Sequence, residues 1–309
     1  MRRISPHPLA ARWLGFWFAP APPTTLAVCR ILFFGAIFAQ YFRFDVRGVG
    51  DLPQALWNPT WPFAAFDLPL ATAPVLGWLQ SAWKVALLMS CAGLVTRVST
   101  LASFVLGFYL LGLPHNFGKV NHDDAIIVLV LAIMALARAG DVLSLDATIA
   151  RLSSRRPPGP VARPSGEYTW PLRCVWLALA LVYLAAGVGK LTSSGLEWIG
   201  SNNLALLLLR TQYEYQPATA WGPWLARWPG LCHALAAATI LMELSYPLAL
   251  ASRRARLLLV PSAVAMQLAI GLLIGPRFYT LLTCNLFWVP WESVLAWVRS
   301  PAVTRRSGR

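Results

Sequence analysis

Runs of roughly 20 mostly apolar residues, separated by short clusters of arginine, fill this chain from about residue 25 to residue 298. A helix needs about that length to cross a hydrocarbon core of roughly 30 Å. With no water in that medium, such a run closes its backbone hydrogen bonds internally, as a helix. Of the 309 residues, 57% are hydrophobic and only 12% charged, about half the charged fraction of a water-soluble domain. These values exclude an ordinary soluble enzyme and a disordered chain. The net charge of +14 is spread between the apolar runs, with no aromatic-basic stripe on a polar surface, so no nucleic-acid partner is expected. The expectation is an all-α, polytopic integral membrane protein in contact with membrane lipid.

Eight spans are predicted: Thr25–Phe42, Val75–Val95, Thr100–Pro114, Asp123–Ala139, Trp170–Leu191, Leu231–Leu250, Leu257–Gly275 and Tyr279–Val298. With the N-terminus inside, seventeen of the 26 basic residues fall on the inner side, seven on the outer side and two within spans. That bias places both termini in the cytoplasm, in a bacterial cytoplasmic membrane. The first residues, lacking a small-residue cleavage site after an apolar core, are expected to be retained. The inner loop 151–169, rich in Arg, Pro, Ser and Gly, reads as a flexible linker. The outer segment Arg43–Pro74, with Trp57, Trp61, Phe63 and Phe66, is expected at the interface or folded over the outer face as an aromatic cap. No segment is long and polar enough for a separate soluble domain. The five cysteines form no Cys-x-x-Cys pair and read as small apolar residues.

Ionisable groups inside a bilayer are costly and often mark function. Lys190 ends the fifth span, and Tyr183, Ala186 and Gly187 share its helix face by three- and four-residue spacing. Small residues there admit a neighbouring helix or a flat ligand. Against an apolar wall the amine would lose hydration and could act as a neutral base; alternatively it snorkels to the outer interface. Between spans three and four lies His115-Asn116, followed by Asn121-His122-Asp123-Asp124 at a helix start, with Asn121 as N-cap. His122 there is either an oxyanion donor or proton shuttle, or part of a polar cap. Two His and two Asp match no strong metal spacing, so no metal is expected. Glu243, near the middle of the sixth span, needs a partner or a proton. Arg30 in the first span is the expected partner, with a buried catalytic acid as the alternative. Gln267 and Asn285 read as inter-helix hydrogen-bonding groups, and Lys84 as snorkelling outward or charging the outer cavity. No phosphate-binding glycine loop, His-Glu-x-x-His or Gly-x-Ser-x-Gly is present.

The order of these pieces resembles the horizontally transferred transmembrane (HTTM) family, related to the membrane module of vitamin K-dependent gamma-carboxylases. The runs that carry it are Cys29-Arg30-Ile31-Leu32, Asn121-His122-Asp123, Asp141-x-x-Ser144-Leu145-Asp146, Tyr183-x-x-Ala186-Gly187-x-x-Lys190-Leu191 with Trp198, Glu243-x-x-Tyr246-Pro247, and Asn285-Leu286-Phe287. The resemblance implies a single membrane domain over 1–309, with a core of about 25–298 and an outward cavity for a reduced quinone. It implies Lys190 as the base that deprotonates the quinol and His122, oriented by Asn121, as the group that stabilises an anion. Asp123, Tyr183, Gly187 and Trp198 would contribute to substrate or cofactor binding. Gly189 stands where the animal carboxylases have a second lysine. The implied activity is quinol- and oxygen-dependent proton abstraction or modification of a peptide, lipid or small molecule. An exported peptide or partner protein is a candidate partner. The alternative is a non-enzymatic transporter, peptide-maturation partner or scaffold.

Overall fold

The computed structural model describes residues 8–118, 123–153, 163–214, 219–275 and 278–299. Among these the fold is helical throughout, with no strand and one isolated antiparallel bridge, Ala21 to Ser165. The chain divides into two compact units, one of residues 1–174 and 286–309, the other of residues 175–285.

The principal helices of the first unit are α1 (Pro8–Phe18), α2 (Thr24–Tyr41), α3 (Ala73–Ala92), α4 (Thr96–Gly112), α5 (Asp123–Leu136) and α6 (Leu145–Ser153). Helix α7 (Trp170–Ser194) begins in this unit and continues into the second, which adds α8 (Asn203–Glu214), α9 (Trp221–Ala226), α10 (Pro229–Ser245), α11 (Arg253–Leu273) and α12 (Tyr279–Cys284). Helix α13 (Trp291–Arg299) belongs to the first unit.

Five helical segments are long and apolar enough to span a membrane: Thr24–Tyr41, Ala73–Ala92, Thr96–Phe117, Gly166–Ser194 and Arg253–Leu273. Two further apolar helices are shorter, α5 with 14 residues and α10 with 17. The last apolar run bends by 73° between Tyr279–Trp288 and Trp291–Arg299. Pro290 stands at the break, where it offers no N–H and its ring obstructs a continuing helix. The linker 151–169 is only partly a loop. Arg151–Ser153 closes α6, Ser165 pairs with Ala21, and the Thr169 hydroxyl donates to the Ala19 carbonyl at 2.5 Å.

Within the first unit, α3, α4 and α5 meet at Gly107. A Cβ there would lie 2.9 Å from Leu131 Cδ1 and 3.0 Å from Trp83 Nε1. The Trp83 indole donates to the Ser103 carbonyl at 3.0 Å, and the Ser90 and Ser103 hydroxyls bond at 3.1 Å. Small residues and inter-helix hydrogen bonds replace the hydrophobic effect as glue between membrane helices. The aromatic segment folds over the end of α4 as a cap. Phe63 is buried and stacks on Phe108 and Tyr109, and Trp57 meets Phe117. The amide oxygen of buried Asn116 accepts from Thr60 N and Oγ1, and its nitrogen donates to the Gly112 carbonyl.

Arg30 is fully buried and does not need a carboxylate. Its guanidinium donates to the Ala139 carbonyl at 2.7 Å and the Leu143 carbonyl at 2.5 Å, just beyond the end of α5. Buried backbone carbonyls outside regular structure need donors of their own, and the guanidinium supplies them. Gly93, at φ +69°, makes room for this corner: a Cβ would sit 2.8 Å from Arg30 Nη1 and 2.5 Å from Ser144 Cβ. Beside it, Asp146 caps α4 from outside that helix, accepting from Val95 N, Thr96 N and Thr96 Oγ1, each at 2.7 Å.

Burial opposes ionisation of Asp146, but these three hydrogen bonds and the nearby Arg30 charge outweigh it and hold the carboxyl below its usual range. The stabilisation is therefore complete above the unfolded aspartate value of about 3.9 and is lost as pH falls through the lower folded value. Asp146→Ala should cost about 1 kcal/mol near neutral pH, the typical loss of a helix cap. In thermal unfolding of the detergent-solubilised protein, the gap between wild type and variant should close below about pH 4.

Candidate functional site

The second unit gathers the polar residues of its helices along one face of α7. Three- and four-residue steps put Tyr183, Gly187 and Lys190 in a row, and α10 lies against that row. Gly187 sets the approach: a Cβ there would meet Glu243 Cβ at 3.1 Å and Leu244 Cδ2 at 3.0 Å. One turn along, Lys190 Nζ donates to Glu243 Oε1 at 2.6 Å and Oε2 at 2.8 Å. The Glu243 side chain is 5% exposed and that of Lys190 25% exposed. The carboxylate is thus buried behind an amine that is itself partly exposed. Trp198 supplies a ring face 5.4 Å from the same nitrogen, within cation–π range.

The row continues away from Lys190. The rings of Tyr183 and Tyr246 lie 4.3 Å apart, and both side chains are buried. Gln267 Nε2 on α11 donates to the Tyr183 hydroxyl at 3.4 Å, and the Tyr246 hydroxyl donates to Asn285 Oδ1 at 3.4 Å. Asn285 is fixed in turn by donating to the Leu281 carbonyl at 2.8 Å. Gln267 Oε1 is buried without a partner, so the string ends on an unused acceptor.

This arrangement corrects the expected pairing of Arg30 with Glu243. Each finds its partner inside its own unit, Arg30 on backbone carbonyls and Glu243 on Lys190. Depth counted along the sequence misplaced Glu243, because α10 passes close to α7 at Gly187 and brings the carboxylate level with Lys190. The expectation of a lysine facing only an apolar wall is corrected with it. Tyr246 was legible only as part of a family run, and its contact with Tyr183 carried no local signal.

In the first unit, Asn121 and His122 lie outside the described residues, and Asp123 opens α5. Among the described residues of this segment, His115 and Asp124, both named from the sequence, meet Tyr41, which was not. The Tyr41 hydroxyl donates to Asp124 Oδ1, and His115 Nε2 lies 3.9 Å from Asp124 Oδ2. Lys84 donates to the Phe44 carbonyl at 3.2 Å. Among the described residues, no three His, Cys, Asp or Glu side chains are placed to hold a metal ion.

The family model of the HTTM domain matches residues 18–291, most of the chain. No curated protein and no solved structure matches.

The close approach at Gly187 can be tested directly. Gly187→Val should push α10 off α7 and cost about 1–3 kcal/mol, the range for overpacking. Gly189→Val, at a glycine with nothing within 4 Å of its Cβ position, should stay within about 1 kcal/mol of wild type. Thermal melts of the two variants side by side separate packing at one position from a general intolerance of the helix to β-branched residues.

Proposed function

The chain belongs to the HTTM family, whose domain is related to the membrane module of the vitamin K-dependent carboxylases, and from that premise we propose that it is a membrane enzyme in which Lys190 and Glu243 together remove a proton from an acidic hydroxyl. The observation that carries this reading is the asymmetry of the pair. The amine is partly exposed and the carboxylate behind it is buried, so the proposed route of a substrate proton to Glu243 runs through Lys190.

The proton bookkeeping closes. Lys190 passes one of its protons to Glu243 and takes the substrate's in exchange. The products are a substrate oxyanion, an ammonium beside it and a neutral carboxyl, with total charge unchanged. Because Lys190 remains an ammonium, it stabilises the anion it has just helped to create. Trp198 flanks the amine with an aromatic face suited to a flat ring. A reduced quinone is the substrate class that family membership favours. When bound it would supply the acidic hydroxyl and, with oxygen, the oxidising chemistry. His122, with Asn121 orienting it, is the proposed second anion-stabilising group, and Asp123 is the proposed contributor to the same binding role.

Eight crossings with both termini in the cytoplasm complete the proposal. The five long helices, the two shorter apolar helices and the bent pair support the count. The seventeen-to-seven split of basic residues supports the orientation. A fluorescent reporter fused after Arg309 should be bright inside the cell, and a periplasmic-only signal would reverse the assignment.

A second reading has a specific observation behind it. Lys190 and Glu243 satisfy each other with two hydrogen bonds, as a purely structural buried pair would, and a scaffold or transporter could use them so. Quinol-dependent oxygen uptake in proteoliposomes separates the two. Lys190→Ala and Glu243→Gln should each lower the rate by about 100-fold or more, the usual weight of a positioned acid–base group. His122→Ala should lower it by about 100-fold, as loss of an oxyanion donor does. Wild-type rates in a folded Lys190→Ala variant would leave only the structural reading.

A further inference from the structure

The face of α10 opposite Glu243 borders an apolar groove of about 570 Å³ that lies wholly within the second unit. Its long wall is α11, where Leu258, Ser262, Ala265, Ala269 and Leu273 recur at three- and four-residue steps. Alanine and serine in the middle of that row leave the space beside them unfilled. Leu235 and Met242 of α10 form the facing wall, and Leu204 and Leu225 close one end. From Leu258 to Ile274 the groove follows about 24 Å of helix, most of a hydrocarbon core roughly 30 Å thick. Its volume is that of a small-molecule site, but its length along a spanning helix is that of a lipid chain. Helix α11 is also the least enclosed of the five long spans, with 17% of its window buried against 33–39% in the others.

The end of the groove nearest the α11 N-terminus selects the occupant. Arg254 precedes Leu258 by four residues and so stands on the groove side of the helix. Its side chain leans toward the helix N-terminus, beyond the apolar walls. Arg253 is its neighbour, and both are exposed. Among the described residues neither has a carboxylate partner; the ion pairs there use Arg47, His115, Arg138, Lys190 and Arg210. Arg256 is committed elsewhere, donating to the Ala249 carbonyl and lying over the Trp176 ring. An apolar trough with two uncompensated cations at one mouth complements one chemistry, a hydrocarbon chain tethered to an anion.

We propose that the groove between α10 and α11 holds one acyl chain of an anionic phospholipid, with its phosphate on Arg253 and Arg254. The chain fills space that would otherwise lack packing partners, and the headgroup answers charge that the protein leaves open. The assignment depends on the chain being a membrane protein but not on the Lys190–Glu243 chemistry.

Native mass spectrometry of the purified full chain, exchanged into dioleoyl phosphatidylglycerol or dioleoyl phosphatidylcholine, provides the test. Wild type should retain one phosphatidylglycerol with about tenfold preference over phosphatidylcholine. The Arg253→Gln/Arg254→Gln double variant, altered only at exposed positions, should lose the preference while still binding either lipid. Ala265→Phe, at an exposed groove position, should lower retention of both lipids by about tenfold. Equal retention of the two lipids by wild type, or unchanged retention in Ala265→Phe, would overturn the proposal. So would a second copy of the chain or a bound quinone displaced by Ala265→Phe. None of these readouts involves quinol turnover, so failure here is distinct from failure of the enzymatic reading.

Discussion

A carboxylate sealed among apolar helices costs several kcal/mol unless a counter-charge reaches it with good geometry, and the second unit is arranged around meeting that demand. Glu243 can be buried because Lys190 lies within 2.8 Å of both its oxygens. Lys190 can reach it because Gly187, one turn earlier, presents no side chain to hold α10 away. The string from Tyr183 through Tyr246 to Asn285 packs into the same seam. Removing one partner would do more than delete a bond, since it would leave a bare charge where two helices touch.

The first unit meets the same demand differently, and the contrast bears on chemistry. Arg30 spends its donors on two backbone carbonyls, which its flat, permanently charged guanidinium suits. No proton can leave it at ordinary pH, so the nearby Asp146 carboxylate meets only a fixed charge. Lys190 faces a group that can take its proton, across an interaction short enough for transfer. Of the two buried cations, only the lysine sits in an arrangement that can move a proton, and only the lysine has an accessible side.

How far the sequence could be read follows from the range of each interaction. The shared face of Tyr183, Gly187 and Lys190 is a property of helical pitch and was legible from spacing alone. The aromatic cap was legible from its composition. The partner of Glu243 was not legible, because pairing opposite charges by estimated depth ignores the crossing of α10 over α7. Arg30 was misassigned for a related reason: carbonyls left over beyond α5 have no residue type to betray them. Tyr41, whose hydroxyl finds Asp124 across 83 positions, drew no attention at the end of an apolar run.

Helix α10 joins the two features of the second unit because neighbouring residues point to opposite sides of it. Glu243 and Tyr246 face α7, while Met242 and Ser245 face the groove. Packed helices behave as stiff bodies and transmit displacement from one face to the other. A substitution on the groove side of α10 must therefore be read against the Lys190–Glu243 contact on its other side.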